Sequence, residues 1–287
     1  MPVTARLAAF VLLIGASLTP GLAPGLAPGL APGLAEAATP PAPARAPAPL
    51  AAHRALYQLT FESGRGGRQV VAAQGTMGYE VADVCDGWAT RQRLRMTLVT
   101  AEGQETEMAS DYATWEAKDG LNFRFHMVQK TDSAITSQTD GAARLSRTGG
   151  TGEARYRVPK EEKKDLPAGT LFPMMHTVAI INAAREGKKF IGLPLFDGTD
   201  ENGVEDSSIA ILDWKPPVET KHPLLTPLPN TRVRLAFFDR SNGSITPAYE
   251  VAMRYWENGV ADSMLMDFGD FVMQAKLTEL TPIPRRC

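Results

Sequence analysis

The sequence predicts a mainly β protein whose long antiparallel sheet is curved or barrel-like, with one amphipathic helix packed on or in it. Three observations support this fold class. Apolar and polar residues alternate with a period of two along most of the chain beyond residue 50. Turn signals containing glycine and asparagine separate these runs at the spacing of hairpins. One segment breaks the alternation and follows the helical period. We expect about ten to fourteen strands.

The alternation begins in the first predicted strand, where Ala55, Tyr57, Leu59 and Phe61 share one face. Similar runs follow at 94–98, 121–127, 233–237, 249–255 and 271–277. A strand with one apolar and one polar face is typical of an antiparallel sheet that packs a core on one side only. The dipeptides Asp119-Gly120 and Asn258-Gly259 are typical of the tight turns between such strands.

The segment 172–187 predicts the helix. Pro173 lies near its start, Thr170 is the expected N-terminal cap, and Gly187 marks the stop. About fourteen residues are helical, and the apolar ones share a face: Met174, Val178 and Ile181, with Met175 and Ala179 beside them. We expect this helix to cover or plug the sheet.

The first 37 residues predict a cleaved export signal. Arg6 supplies a positive charge, residues 7–18 form a twelve-residue apolar stretch, and Ala35-Glu36-Ala37 offers a small-x-small cleavage site. Residues 38–50 predict a linker rich in proline and alanine, which leaves 51–287 as a single β domain. The expected location is therefore the periplasm.

The charge balance excludes some partners. Thirty lysines and arginines face thirty-two acidic residues, a net charge of −2, whereas a nucleic-acid groove needs a basic face. Beyond the signal no apolar run reaches the length of a membrane span, so the chain is not expected to span a membrane with a helix. A membrane-embedded barrel is the less favoured alternative, because arginines lie on the polar strand faces: Arg91, Arg93, Arg95 and Arg124.

The chain contains two cysteines, Cys85 and Cys287. Export would carry both into an oxidising compartment, where an intramolecular disulfide between them is the favoured interpretation. A loop of about two hundred residues closed in this way contributes at most about 5 kcal/mol in the chain-entropy model. A free C-terminal thiol and an intermolecular bridge remain the alternatives.

Motifs of enzymes, metals and cofactors are absent from the sequence, and we predict no cofactor and no metal site. Among the four histidines, His126 and His176 are the candidates for acid–base chemistry, although a structural role is favoured for each. The acidic stretch 197–206 suggests a calcium-binding loop, but its oxygen-bearing residues do not have the spacing of an EF-hand. We therefore predict a solvated turn.

Eleven methionines and eleven phenylalanines are expected to lie mainly on inward faces. They favour an ordinary core. The alternative is a cavity under the helix that accepts an acyl chain, because methionine adapts to irregular ligands.

Several strings in fixed order resemble one family. They are His53-x-Ala55-x-Tyr57, Cys85-Asp86-Gly87-Trp88, Leu166-Pro167-x-Gly169-Thr170-x-Phe172-Pro173-x-x-His176, Phe196-Asp197-Gly198 and the C-terminal Cys287. From about residue 51 to 287, the chain resembles the EipB-type family of periplasmic cell-envelope integrity proteins of alphaproteobacteria.

The resemblance implies an antiparallel sheet coiled into a spiral, a helix inserted in it, and a Cys85–Cys287 disulfide that supports function under envelope stress. It also implies cooperation with a periplasmic tetratricopeptide-repeat protein and brings no catalytic residue. The leading hypothesis is a non-enzymatic protein that maintains the envelope by binding a protein partner, a hydrophobic envelope component such as a lipid, or both. The alternatives are a carrier of lipid or lipoprotein and, less favoured, an enzyme using His176 or His126.

Overall fold

The computed structural model describes residues 48–64, 70–240 and 245–285. Within them lie fourteen strands and one helix. The first half contains β1 (His53–Gly64), β2 (Val70–Asp83), β3 (Gly87–Thr100), β4 (Glu105–Ala117), β5 (Asn122–Thr131), β6 (Ala134–Leu145), β7 (Gly152–Val158) and β8 (Glu162–Leu166). The second half contains α1 (Pro173–Arg185), β9 (Phe190–Leu195), β10 (Glu205–Ile211), β11 (Asn230–Asp239), β12 (Tyr249–Trp256), β13 (Ala261–Asp267) and β14 (Phe271–Pro282).

All described strands belong to one antiparallel sheet. Its order is β8-β7-β6-β5-β4-β3-β2-β1-β14-β13-β12-β11-β10-β9. The first strand therefore pairs with the last at the centre of the sheet, and β8 and β9 lie at its two edges. The helix α1 lies between these edge strands in the sequence. The predicted fold class, a long antiparallel sheet with one helix, is confirmed.

The alternation of apolar and polar residues predicts the inner face of the sheet correctly. Ala55, Tyr57 and Leu59 are at most 2% exposed, whereas the residues between them face outward. Around them, apolar side chains of β1–β3, β10–β14 and α1 form one large core cluster. A second, smaller cluster contains five packed aromatic rings: Phe123, Phe125, Tyr156, Phe172 and Phe196.

The helix lies inside the curl of the sheet. None of its thirteen residues is exposed, and seven are buried: Met174, His176, Val178, Ile180, Ile181, Ala183 and Ala184. Gly187 follows it with a φ of 75°, so the predicted stop is confirmed. The predicted cap is wrong. The N-cap is Phe172, and the Thr170 hydroxyl donates to the carbonyl of Pro167 at 2.7 Å.

A glutamate from the sheet caps the helix instead. The backbone N–H groups of Met174 and Met175 donate to Oε2 and Oε1 of Glu116, at 2.7 and 2.9 Å. Glu116 belongs to β4 and is 1% exposed. Burial raises the pKa of Glu116 to about 7, although both hydrogen bonds act in the opposite direction. The cap therefore fixes the start of the helix to the sheet.

Replacing Glu116 with alanine tests this cap. Glu116→Ala leaves two buried N–H groups without acceptors and is expected to lower the free energy of unfolding by about 2–4 kcal/mol. Glu116→Gln keeps one acceptor oxygen, so its loss should be smaller. Urea denaturation at constant pH measures both, with Glu107→Ala, an exposed residue of the same strand, as the control. A loss no larger than that of the control would contradict the capping role.

Candidate functional site

The candidate site is a cavity of about 420 Å³ that lies between the two halves of the curled sheet. Strands β2–β5 form one wall, and β11–β13 form much of the other. Pro173, His176 and Thr177 bring the first turn of α1 to the same space. The volume falls within the roughly 300–1,000 Å³ of small-molecule sites in proteins.

The first wall carries uncharged polar side chains at inward positions. They are Gln92 on β3, Ser110, Tyr112 and Thr114 on β4, and Gln129 on β5. The register pairs Gln92 with Tyr112 and Ser110 with Gln129, so these groups are neighbours across the strands. The Tyr112 hydroxyl donates to the carbonyl of Asp197. Within the described part of the chain, the other four side chains make no hydrogen bond, which leaves them available to a ligand.

The opposite wall is apolar and rich in methionine. Its members include Leu235, Phe237, Val251, Met253, Met264 and Met266. Methionine side chains are flexible and polarizable, so they adapt to ligands of irregular shape. The sequence favoured an ordinary core for these residues, and the structure shows core clusters and a methionine-lined cavity together.

Three carboxyl groups line part of the cavity: Asp197, Asp200 and Glu205. Burial, reinforced by repulsion from both aspartates, raises the pKa of Glu205 to about 9. Burial likewise raises the pKa of Asp200 to about 6 and that of Asp197 above its usual range. The prediction of a solvated turn is wrong for these three residues, which are half-buried and line the cavity. No group of three acidic, histidine or cysteine side chains in the described ranges could hold a metal ion.

The histidines proposed for acid–base chemistry lie apart. His126 is exposed on the outer face, with Nδ1 3.3 Å from Oδ2 of Asp140. His176 is buried, with Nε2 2.7 Å from Oγ of Ser207. The Ser207 hydroxyl donates to the carbonyl of Leu193 at 2.6 Å, so Nε2 of His176 must be the donor to Ser207. Burial lowers the pKa of His176 to about 4. In this arrangement His176 cannot take the proton of Ser207, so the pair is not arranged as a nucleophile and its base.

Cys85 lies in the turn between β2 and β3, at a φ of 75°. Cys287 lies outside the described residues, so the predicted disulfide stays a prediction. Asp83, two residues before Cys85, forms two ion pairs near this turn. Its Oδ2 is 2.8 Å from Nε of Arg285, close to the chain end, and its Oδ1 is 2.6 Å from Nζ of Lys118. The Lys118 hydrogen bond, followed by that of Arg285, lowers the pKa of Asp83 to about 2. The C-terminal segment thus reaches the turn that contains Cys85.

The sequence predicted no functional role for two residues, Asp83 and His53. Asp83 joins β2 to the chain terminus, and the sequence offered no signal beyond its place two residues before Cys85. His53 lines the cavity, and its inward register was visible in the alternation of β1.

Comparison with known proteins gives consistent matches. A family model described as EipB-like matches residues 44–284. The cell envelope integrity protein EipB of Brucella abortus (strain 2308) is 27% identical over 237 residues, which are 80% of this chain and 84% of the relative. A crystal structure of a beta-barrel-like protein of a domain of unknown function from Brucella abortus superposes with a TM-score of 0.73 at 27% identity. That match covers 83% of this chain and all of the other.

Glu205→Gln tests the neutral state of the buried carboxyl group. Glu205 stays protonated in the folded protein, while the unfolded chain ionises above its ordinary pKa of 4.5, so stability is lost as pH rises from there toward about 9. The amide cannot ionise, so thermal denaturation should show the variant several degrees more stable than the wild type at about pH 8 and nearly equal at about pH 5. Glu201→Gln, an exposed change in the same segment, is the control. An equal pH dependence in all three proteins would contradict a buried neutral Glu205.

The disulfide is tested by removing each sulfur in turn. Cys85→Ser and Cys287→Ser should each lower the midpoint of thermal unfolding by several degrees, and the double variant should lose no more than either single one. Both single variants remove the same bond, which is why the losses should not add. Native protein modified at both cysteines by a thiol reagent without reductant would contradict the bridge.

Proposed function

Because the chain belongs to the EipB-like family, whose Brucella abortus member is named a cell envelope integrity protein, we propose that this protein maintains envelope integrity by binding a hydrophobic envelope component in its interior cavity. The observation that carries the proposal is the two-sided lining of the cavity. A core is normally filled by apolar side chains at inward positions. Here one wall offers unused hydrogen-bonding groups and the other an adaptable apolar surface.

We propose a binding role without catalysis. The support is that Ser207 is held by the carbonyl of Leu193 and by Nε2 of His176, in the proton arrangement opposite to that of a nucleophile and its base. His126 lies on the outer face, away from the cavity. Glu205, whose pKa is raised to about 9, has no histidine or cysteine grouped with it that would complete a metal site within the described chain.

The proposed location is the periplasm. The support is the predicted export signal of residues 1–37, which lies outside the described residues, and the envelope role in the name of the Brucella relative. Among the residues that the structure describes, no helix combines the length and apolar character that a membrane span requires.

A protein partner is the second part of the proposal, and the resemblance names a tetratricopeptide-repeat protein. Its support is the edge strand β9. Phe190 on β9 is 77% exposed, and Leu212, just beyond β10, is 56% exposed. Ala210 is paired with Phe190 across the two strands and comes two residues before Leu212, so the two exposed side chains lie near each other. A contiguous exposed apolar patch often marks a protein contact. A carrier of lipid or lipoprotein remains the alternative, and it differs only in requiring that the ligand leave the cavity.

Filling the cavity tests the binding role. Ser110→Phe places a large side chain in the lumen, whereas Ala113→Phe places the same side chain on the exposed face of the same strand. Each variant replaces the chromosomal gene, and survival is scored in the presence of detergent and of cell-wall antibiotics. We expect about tenfold lower survival with Ser110→Phe and wild-type survival with Ala113→Phe, because only the first competes with a ligand.

Immunoblots and unfolding midpoints establish that both variants are folded and equally abundant. Where Ser110→Phe does not accumulate, Gln129→Phe fills the same cavity from β5. Wild-type survival with a folded, cavity-filled variant would overturn the proposed role of the cavity.

A further inference from the structure

His53, in the wall of the cavity, carries an unpaired hydrogen-bond acceptor. It is the first residue of β1, is 3% exposed, and forms part of the cavity lining. Its Nδ1 lies 2.7 Å from the carbonyl oxygen of Ala51. A carbonyl can only accept, so the proton of the neutral ring is on Nδ1 and Nε2 carries a free lone pair. Within the described residues, Nε2 is buried and has no hydrogen-bond partner.

An unpaired buried acceptor is uncommon, because leaving it unpaired costs stability. Burial lowers the pKa of His53, so the ring stays neutral and Nε2 remains an acceptor near neutral pH. Nε2 is closed off from the cavity in the present arrangement, so a ligand that donates one hydrogen bond would satisfy this atom once the ring turns toward the cavity. The adjoining polar wall offers further neutral partners to the same ligand: Gln92, Ser110, Thr114 and Gln129.

The charge of the lining excludes an anionic headgroup. No lysine or arginine of the described chain lines the cavity, while Asp197, Asp200 and Glu205 do. A phosphate or carboxylate would therefore find acidic groups and no cation. Burial shifts the pKa of Glu205 upward and that of His53 downward, so the surroundings favour the neutral form of an acid and of a base alike. An uncharged ligand fits these surroundings best.

The volume of the cavity and its apolar wall indicate what the rest of the ligand is like. The apolar wall suits a flexible hydrocarbon, and the cavity of about 420 Å³ has room for one acyl chain with a small headgroup rather than for a two-chain lipid. Polar and apolar groups face each other across the same space, which fits a molecule with one polar end and one apolar chain.

We propose that the cavity binds a single-chain amphiphile with an uncharged, hydrogen-donating headgroup, and that Nε2 of His53 accepts a hydrogen bond from that headgroup. The proposal rests on the binding role given above and names its ligand class. Hydroxyl groups of a monoacylglycerol-like lipid have this chemistry.

Three probes with the same chain separate the possibilities: monolauroylglycerol donates through hydroxyl groups, methyl laurate has no donor, and laurate is anionic. Equilibrium dialysis of the full-length mature protein measures the affinity for each. We expect the wild type to bind monolauroylglycerol about tenfold more tightly than methyl laurate, the effect of one buried hydrogen bond made or left unmade, and to bind laurate least.

Variants at position 53 identify the acceptor. His53→Phe should remove most of the tenfold preference, because it removes the acceptor and retains a ring, while the affinity for methyl laurate, which donates no hydrogen bond, should change much less. His53→Gln, which restores an acceptor oxygen, should recover part of the preference. His126→Phe, the same change on the outer face, should have no effect.

The outcomes are distinguishable. A full preference retained in His53→Phe would overturn the assignment of His53 and leave the binding role intact. Equal affinities for the two neutral probes, or tighter binding of laurate, would overturn the ligand class. Failure of folded wild-type protein to bind any of the three probes would overturn the ligand class and count against the proposed function as well.

Discussion

The pairing of β1 with β14 is the contact on which the rest of the structure depends. It joins His53–Gly64 to Phe271–Pro282 and so unites strands β1–β8 with strands β9–β14 in one sheet. The cavity is lined from both halves, so it exists only while this junction holds. The ion pair of Asp83 with Arg285 ties the C-terminal segment to the first half, and the predicted Cys85–Cys287 bridge would add a covalent tie at the same place. In an oxidising compartment a covalent tie at this place would protect the cavity itself.

The interior contains apolar clusters that stabilise the fold and, beside them, polar groups that do not. Two apolar clusters and the glutamate cap of α1 hold the sheet around the helix. The polar wall, the three carboxyl groups and the unpaired Nε2 of His53 occupy positions that apolar side chains would fill with less cost. Local departures of this kind from good packing are expected where a protein keeps a site for function. The groups named here line one cavity, which is why we propose the function there.

Sequence reasoning reached the fold class because strand period and turn signals are local properties, and it identified the helix and its stop at Gly187 for the same reason. It placed the helix cap at Thr170, because a local cap was the nearest candidate, whereas Glu116 comes from a distant strand. It interpreted the stretch around Asp197 and Glu205 as solvated, since nothing local shows that the sheet curls over it. A methionine that fills a core and one that lines a cavity have the same sequence pattern, so only the folded sheet separates them.

Native mass spectrometry of the protein, released gently from the cells that make it, tests the central claim most directly. If the cavity is a ligand site, the wild type and Ala113→Phe should carry an adduct with the mass of a single-chain neutral amphiphile, and Ser110→Phe should carry none, because only its new ring occupies the lumen. Wild-type protein that retains its fold through the measurement and shows only the mass of the bare chain would contradict the account.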